Sequence, residues 1–256
     1  MMSIEPSEQN RIHVTLAGEP VEVHCLYPQT VDFLASYRST IEQESLPDPI
    51  RVAVVPEELE MEQIKSDRER QLEGLPVHVW EKPYLEQLAV YRKIADEMPK
   101  RNVILFHGSV IAVDGEGYLF TAVSGTGKST HTRLWREYFG GRAEMINDDK
   151  PLIRIEEGAV LAYGTPWDGK HHLSTNKAVP LKAICFLDRG AQNEIHPIDP
   201  MEKYPTLLQQ IYRPKSVEGL TCTMHLIDLL MKETKFYHLH CNMDIEAAEV
   251  AWKGMH

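Results

Sequence analysis

The stretch Tyr118-Leu119-Phe120-Thr121-Ala122-Val123-Ser124-Gly125-Thr126-Gly127-Lys128-Ser129-Thr130 decides how this chain is read. An apolar run of strand length ends in a turn dense in Gly, Ser and Thr. A helix-length segment, Lys128 to Phe139, follows, and Gly140-Gly141 stops it. A polyphosphate needs many hydrogen-bond donors within a small radius. A Gly-rich turn lets successive backbone N–H groups converge, and the helix behind it adds the positive end of its dipole. Lys128 then reaches the outer phosphates as a point charge, and Ser129 offers its hydroxyl to Mg²⁺. Ser124, Gly125, Thr126, Gly127, Lys128, Ser129 and Thr130 are therefore the expected nucleotide-binding residues. Ala122 stands where the usual pattern begins with Gly, a place an alanine tolerates when its φ is negative.

Upstream, Val103 to Phe106 and Val110 to Val113 read as strands. Asp114-Gly115-Glu116-Gly117 is a strong reversal signal before the strand that feeds the loop. A tight turn makes those two strands antiparallel neighbours, whereas ordinary nucleotide-binding sheets surround the equivalent strand with parallel ones. The fold predicted is thus α/β with α+β character: a mixed, partly antiparallel sheet carrying the glycine-rich loop. Further strands are predicted at Ala143–Asn147, Pro151–Ile155, Val160–Tyr163, Leu181–Leu187 and Phe236–Cys241. Helices are predicted at Pro205–Tyr212, Thr223–Lys232 and Ile245–Trp252.

Residues 1–82 read as a small α+β module. Its strands are Ile12–Leu16, Val21–Leu26, Ile50–Val55 and Val77–Trp80, and its helices are Val31–Ile41 and the charged stretch Glu57–Glu73. The amphipathic segment Pro83–Met98 is the expected bridge into a second domain, 83–256.

Asp148 and Asp149 follow Lys128 by 20 residues, at the end of the strand-like Met145-Ile146-Asn147. Adjacent carboxylates at a strand end project differently, so one can hold Mg²⁺ while the other accepts the proton of an attacking hydroxyl. Asn-Asp-Asp-Lys-Pro would also make a plain solvated turn, and the neighbouring phosphate loop favours chemistry. Tyr163-Gly164-Thr165-Pro166-Trp167-Asp168-Gly169-Lys170-His171-His172 reads either as a lid or as a structural turn around a packed Trp. As a lid it would let Lys170 steady charge on a transferring phosphoryl group. His107 sits among apolar neighbours, as a core histidine or as a catalytic one. His238 and His240 share one strand face, but a metal there needs further ligands that the sequence does not display, so no zinc site is expected.

Composition limits the remaining classes. The chain has 256 residues, 43% of them hydrophobic, and a formal charge of −11. With no Lys/Arg-rich stretch, nucleic acid and anionic membrane are poor partners. Its four cysteines form no Cys-x-x-Cys pair. The polar start is unlike a secretory signal and no apolar run approaches the ~20 residues that span a bilayer, so a cytoplasmic location is expected.

Phe106-His107-Gly108-Ser109, the Asp-Gly turn, Ser-Gly-Thr-Gly-Lys-Ser-Thr and Asn-Asp-Asp, in that order, resemble the HPr kinase and phosphoenolpyruvate carboxykinase superfamily over His107 to Leu187. The resemblance implies a carboxykinase/HPr-kinase-like core. Lys128 would be the phosphate lysine, Ser129 the Mg²⁺ hydroxyl, Asp148 the general base, Asp149 a metal ligand and His107 a histidine near the reacting phosphate. Superfamily members often assemble, which also implies a homo-oligomer. The downstream Gly-rich signature of HPr kinases and the acid-binding arginines of carboxykinases are not matched. Neither HPr nor oxaloacetate is therefore carried over, and the chain looks like a separate HPr-kinase-like branch. The activity expected is an ATP- and Mg²⁺-dependent kinase acting on a hydroxyl of a peptide, a protein Ser or Thr, or a small molecule. The rivals are a nucleotide-dependent regulatory module and a carboxykinase-like reaction on a small acid.

Overall fold

Alternating apolar positions build the first strand, β1 (Arg11–Leu16), whose Ile12, Val14 and Leu16 are buried. Ala17 and Gly18, at φ 50° and 80°, reverse the chain into the antiparallel strand β2 (Glu19–His24). The computed structural model describes residues 10–40, 48–72, 74–123 and 125–256 and divides the chain between Glu97 and Met98. In the first unit, helix α1 (Pro28–Leu34) precedes β3 (Ile50–Ala53), which pairs parallel with β2. Helices α2 (Pro56–Leu72) and α3 (Lys82–Glu97) complete it. Ile41 and Glu73, the ends of two expected helices, lie outside the described residues.

Two expectations about this unit need correction. The boundary lies 15 residues later than residue 82 (97 − 82), so α3 belongs to the first unit. The reason is its buried face: Leu85, Ala89, Val90 and Ile94 pack into this unit, against α1, α2 and β3. Glu86, fully buried, also accepts hydrogen bonds from the Leu26 and Tyr27 N–H groups and the Thr30 hydroxyl at the start of α1. Val77–Trp80, expected as a strand, joins no sheet. Side chains of α2 satisfy its polar groups instead. The Gln63 amide donates to His78 O (2.8 Å) and accepts from Trp80 N (3.0 Å), and the Trp80 indole donates to Ser66 (2.7 Å).

In the second unit, β4 (Val103–Leu105), β5 (Ser109–Val113) and β6 (Glu116–Thr121) lead to helix α4 (Lys128–Phe139). Asp114 and Gly115, at φ 52° and 86°, make β5 and β6 an antiparallel hairpin. Then come β7 (Ala143–Asn147), β8 (Leu152–Glu156), β9 (Ala159–Tyr163) and the long β10 (Ala178–Arg189). After them follow β11 (Glu194–Pro197), α5 (Tyr204–Gln210), α6 (Val217–Glu233), β12 (Lys235–Cys241) and α7 (Glu246–Met255).

The sheet runs β4-β8-β9-β10-β6-β5-β7, with β12 beside β10 and β11 beside β12. β10 pairs antiparallel with β9 near its start and parallel with both β6 and β12 further on. The strand feeding the loop therefore has one antiparallel and one parallel neighbour. This is the mixed, partly antiparallel sheet of an α/β fold.

Side-chain alternation along these strands makes two cores. Leu119, Ile184 and Phe186 pack with Leu226, Ile227 and Leu230 of α6. Tyr118, Phe120, Cys185 and Leu187 pack with Leu134 and Trp135 of α4 and Ala251 of α7. α6 starts six residues before the expected Thr223 (223 − 217), because the Ser216 side chain caps it by accepting from Gly219 N (3.0 Å). All four cysteines are free thiols. Among the described residues no helix is long and apolar enough to cross a membrane.

Candidate functional site

The glycine-rich loop leaves β6 after Thr121 and enters α4 at Lys128, so its amides lie outside the sheet ladders. Gly125 and Gly127 stand at φ 77° and 126°, conformations that only glycine adopts without strain. The first amide donating within α4 is that of His131, to Gly127 O (2.9 Å). The amides of Lys128, Ser129 and Thr130 precede it and point out of the helix start. Thr126 N–H is used inside the loop, on Val123 O (3.2 Å). Lys128 folds back so that Nζ lies 3.3 Å from Ala122 O. Burial lowers its pKa, and the Asp149 carboxylate opposes that shift. Ser124 lies outside the described residues.

At the end of β7 the chain turns, and Asn147 holds the turn. Fully buried, its carboxamide oxygen accepts from Asp149 N (2.9 Å) and Lys150 N (2.7 Å), while its NH₂ donates to Thr165 O (3.0 Å) and Oγ1 (3.1 Å). The turn chemistry of Asn-Asp-Asp is present, and it orients the carboxylates. Asp148 is buried and accepts from the Ser109 hydroxyl (2.8 Å), and the Ser129 hydroxyl of the loop lies near enough to act on its carboxyl. Burial raises its pKa, and both hydroxyls pull the other way. Asp149 is more open and meets His107 Nε2 at 3.4 Å and Lys150 Nζ at 3.0 Å.

His107 is placed by backbone bonds on either side of it. Phe106 N donates to Pro151 O (3.0 Å), His107 N to Gln210 O (2.7 Å) and Gly108 N to Asp149 O (3.1 Å). Burial, reinforced by the ammonium groups of Lys150 and Lys128, pushes its pKa down to about 4, so the imidazole is neutral at pH 7. Lys128, Ser129, His107, Asp148 and Asp149 thus come together around the loop mouth. Lys170 is exposed in the segment 164–177. That segment abuts the carboxylates: a Cβ added at Gly169 would stand 3.4 Å from Asp149 Cβ and 3.7 Å from Asp148 O. Trp167 is buried, as the structural alternative for this loop required.

Four contributors were not singled out in the sequence: Asn147, Ser109, Lys150 and Arg189. Arg189, at the end of β10, donates to Gly125 O (2.6 Å) and Thr126 O (3.3 Å), bracing the loop through its carbonyls. Asn147 carried a local signal, the Asn of an Asn-Asp-Asp turn. Arg189 carried none, since its contact spans more than 60 residues of chain. Beside the braced loop a cleft of about 470 Å³ opens between α4 and the ends of β10 and β12, lined by Gly127, Thr130, Leu134, Leu187, Gly190 and Asn242. Ligand clefts in sheets of this kind lie beyond the carboxyl ends of parallel strands, and β6, β10 and β12 are parallel here.

Among solved structures, the chain is similar to the HPr(Ser) kinase/phosphatase from Coxiella burnetii. The two are 11% identical over 58% of this chain and 94% of that one, with a TM-score of 0.33. No curated protein matches the chain. Residues 75–211 match the family described as SynChlorMet cassette protein ScmC, a span that carries the glycine-rich loop, both aspartates and the segment 164–177. That span is more than half of the chain, and the protein belongs to the ScmC family.

Proposed function

We propose that this protein is an ATP- and Mg²⁺-dependent kinase that transfers the γ-phosphoryl group to a hydroxyl of a peptide, a protein Ser or Thr, or a small molecule. The observation that carries the reading is the meeting of two aspartates, Ser129 and Lys128 at the mouth of one glycine-rich loop. The loop amides and Lys128 hold the phosphates, and the nucleoside end extends into the cleft beside α4.

The donor set suits Mg²⁺, a hard cation that prefers carboxylate and hydroxyl oxygens. Ser129 and Asp149 would hold it, and when bound it neutralises charge on the outer phosphates. Asp148, made more basic by burial, takes the proton of the acceptor hydroxyl. As that oxygen bonds to the γ-phosphorus, the bond to the β–γ bridging oxygen breaks and ADP leaves. Neutral His107 adds no positive charge beside Asp149, and Lys170 is the residue of the adjoining loop suited to steady charge on the moving phosphoryl group.

A second distribution of roles rests on the nearness of the Ser129 hydroxyl to Asp148. A carboxylate close to the loop hydroxyl is suited to share its metal, and Asp149 beside His107 would then be the base.

The test is incubation of the protein with γ-labelled ATP and a cell lysate, with Lys128→Met as the control. Label entering a protein or a metabolite in a Lys128-dependent way is the expected result. Release of free phosphate only, or calorimetry showing no uptake of Mg²⁺ with any purine triphosphate, would overturn the proposal.

A further inference from the structure

His238 and His240 lie two residues apart on β12 and so share one face of the strand. Two imidazoles alone do not close a tetrahedral shell. The sheet brings the rest. In the parallel ladder of β10 and β12, Asp188 stands opposite His240, and in the antiparallel ladder of β11 and β12, His196 stands opposite His238. One ligand atom from each of Asp188, His238 and His240 lies within 4.8 Å of the other two. His238 Nε2 is 2.6 Å from Asp188 Oδ2. The His238 and His240 rings are 4.4 Å apart between centroids, and the His196 ring is 5.4 Å from the first and 6.4 Å from the second.

We propose that Asp188, His238 and His240 form a binding site for a zinc-class divalent cation, with His196 within reach as the fourth ligand.

The donor types select the ion. Imidazole nitrogen with one carboxylate suits Zn²⁺, whereas Mg²⁺ and Ca²⁺ call for oxygen donors throughout. Bonds of about 2.0–2.1 Å in a tetrahedral shell set neighbouring donors roughly 3.3–3.4 Å apart, so the His238–Asp188 pair, now hydrogen-bonded at 2.6 Å, opens slightly to admit the ion. Side-chain rotation can supply that adjustment, while ladder pairing holds the backbones of all three residues in place. His238 is mostly enclosed, with 11% of its side chain exposed, while Asp188 and His240 open to solvent and leave an entry path. Lys203 Nζ, 3.5 Å from the same Asp188 oxygen, neutralises that carboxylate in the metal-free chain and is the group a cation would displace. The site stands apart from the aspartate pair yet touches its surroundings. Asp188 also lines the cleft beside the glycine-rich loop, and the next residue, Arg189, braces that loop.

The experiment uses the full-length chain, stripped with a chelator and dialysed. Zn²⁺ is titrated calorimetrically, and Co²⁺ is followed by its visible absorption. One tight equivalent per chain is expected, with the Co²⁺ spectrum of a four-coordinate nitrogen/oxygen site. His238→Ala and His240→Ala should each weaken Zn²⁺ by roughly a hundredfold or more, since even outer-shell changes cost 10–100-fold. Asp149→Asn should keep the equivalent, which separates this site from the aspartate pair. Because His240 is only partly buried, its variant should melt like the parent in chelator, so a lost equivalent is not a lost fold. Absence of a tight equivalent in the parent, its retention in the double His238/His240 variant, or its loss in Asp149→Asn would each overturn the proposal.

Discussion

Replacing Asn147 with alanine removes four hydrogen bonds from a residue that exposes no surface. Two involve the turn: the N–H groups of Asp149 and Lys150 lose their acceptor at 2.9 and 2.7 Å. Two involve the loop after β9, where Thr165 O and Oγ1 lose a donor, although Thr165 Oγ1 keeps its bond to Lys150 O at 2.8 Å. A net bond is worth about 1 kcal/mol, and a buried group left unsatisfied costs about 1–3 kcal/mol. The two stranded amides set the larger part of the loss, and the substitution should cost about 2–4 kcal/mol. For a unit of this size that lowers Tm by roughly 5–15 °C.

The site should suffer beyond the loss of stability. With the turn released, the carboxylates no longer hold their angle to the glycine-rich loop. At a temperature where both proteins are folded, phosphoryl transfer should fall far more than nucleotide affinity. Differential scanning calorimetry gives the first quantity, and label transfer against calorimetric Kd gives the second. A melting point within about 2 °C of the parent, or transfer undiminished in the folded variant, would refute the reasoning that Asn147 holds the pair.

Asp148→Asn should leave Mg²⁺–ATP affinity nearly unchanged and reduce transfer by roughly 10²–10⁴-fold. If affinity falls as steeply as rate while Asp149→Asn spares it, the roles are exchanged, as the nearness of Ser129 to Asp148 allows. His131, pushed down to about 3 by burial, stays neutral in the folded protein while the unfolded chain protonates below its ordinary value. Stability from this residue is therefore complete above about pH 6.5 and is lost as pH falls towards 3, by about 2 kcal/mol at pH 5. His131→Gln, which retains an acceptor for the Trp135 indole (3.0 Å in the parent), should flatten the pH dependence of urea unfolding. An unchanged slope would contradict the assignment. Gly164→Ala would set a Cβ 2.1 Å from Thr175 O and 2.6 Å from Ile146 O. Both are backbone atoms, so a loss of about 1–3 kcal/mol is expected, and an unaltered melting curve would show that the approach is not that close.

Local patterns carried much of the fold. The Asp114-Gly115 reversal announced the β5–β6 hairpin because a turn with two positive φ values has few sequence solutions, and the boundaries of α4 followed from its glycines. Val77–Trp80 has the apolar pattern of a strand, and such a pattern is the same whether or not a partner strand exists. Here Gln63 and Ser66 take the partner's place. β11 is short and polar, and gains its identity only by pairing with β12. The unit to which α3 belongs is not legible in its sequence, because an amphipathic stripe shows that a helix is buried and leaves open which core buries it.

The candidate site divides along the same line. The glycine-rich turn, its lysine and the paired aspartates are contiguous motifs, and their chemistry follows from residue types and short spacing, so the linear chain determined them. Which hydroxyl meets which carboxylate, the brace from Arg189 and the gathering of Asp188 with His196, His238 and His240 were decided by the tertiary structure alone. Those contacts join residues far apart in the chain, and their distances depend on strand order and register, which arise only when β6, β10, β11 and β12 assemble.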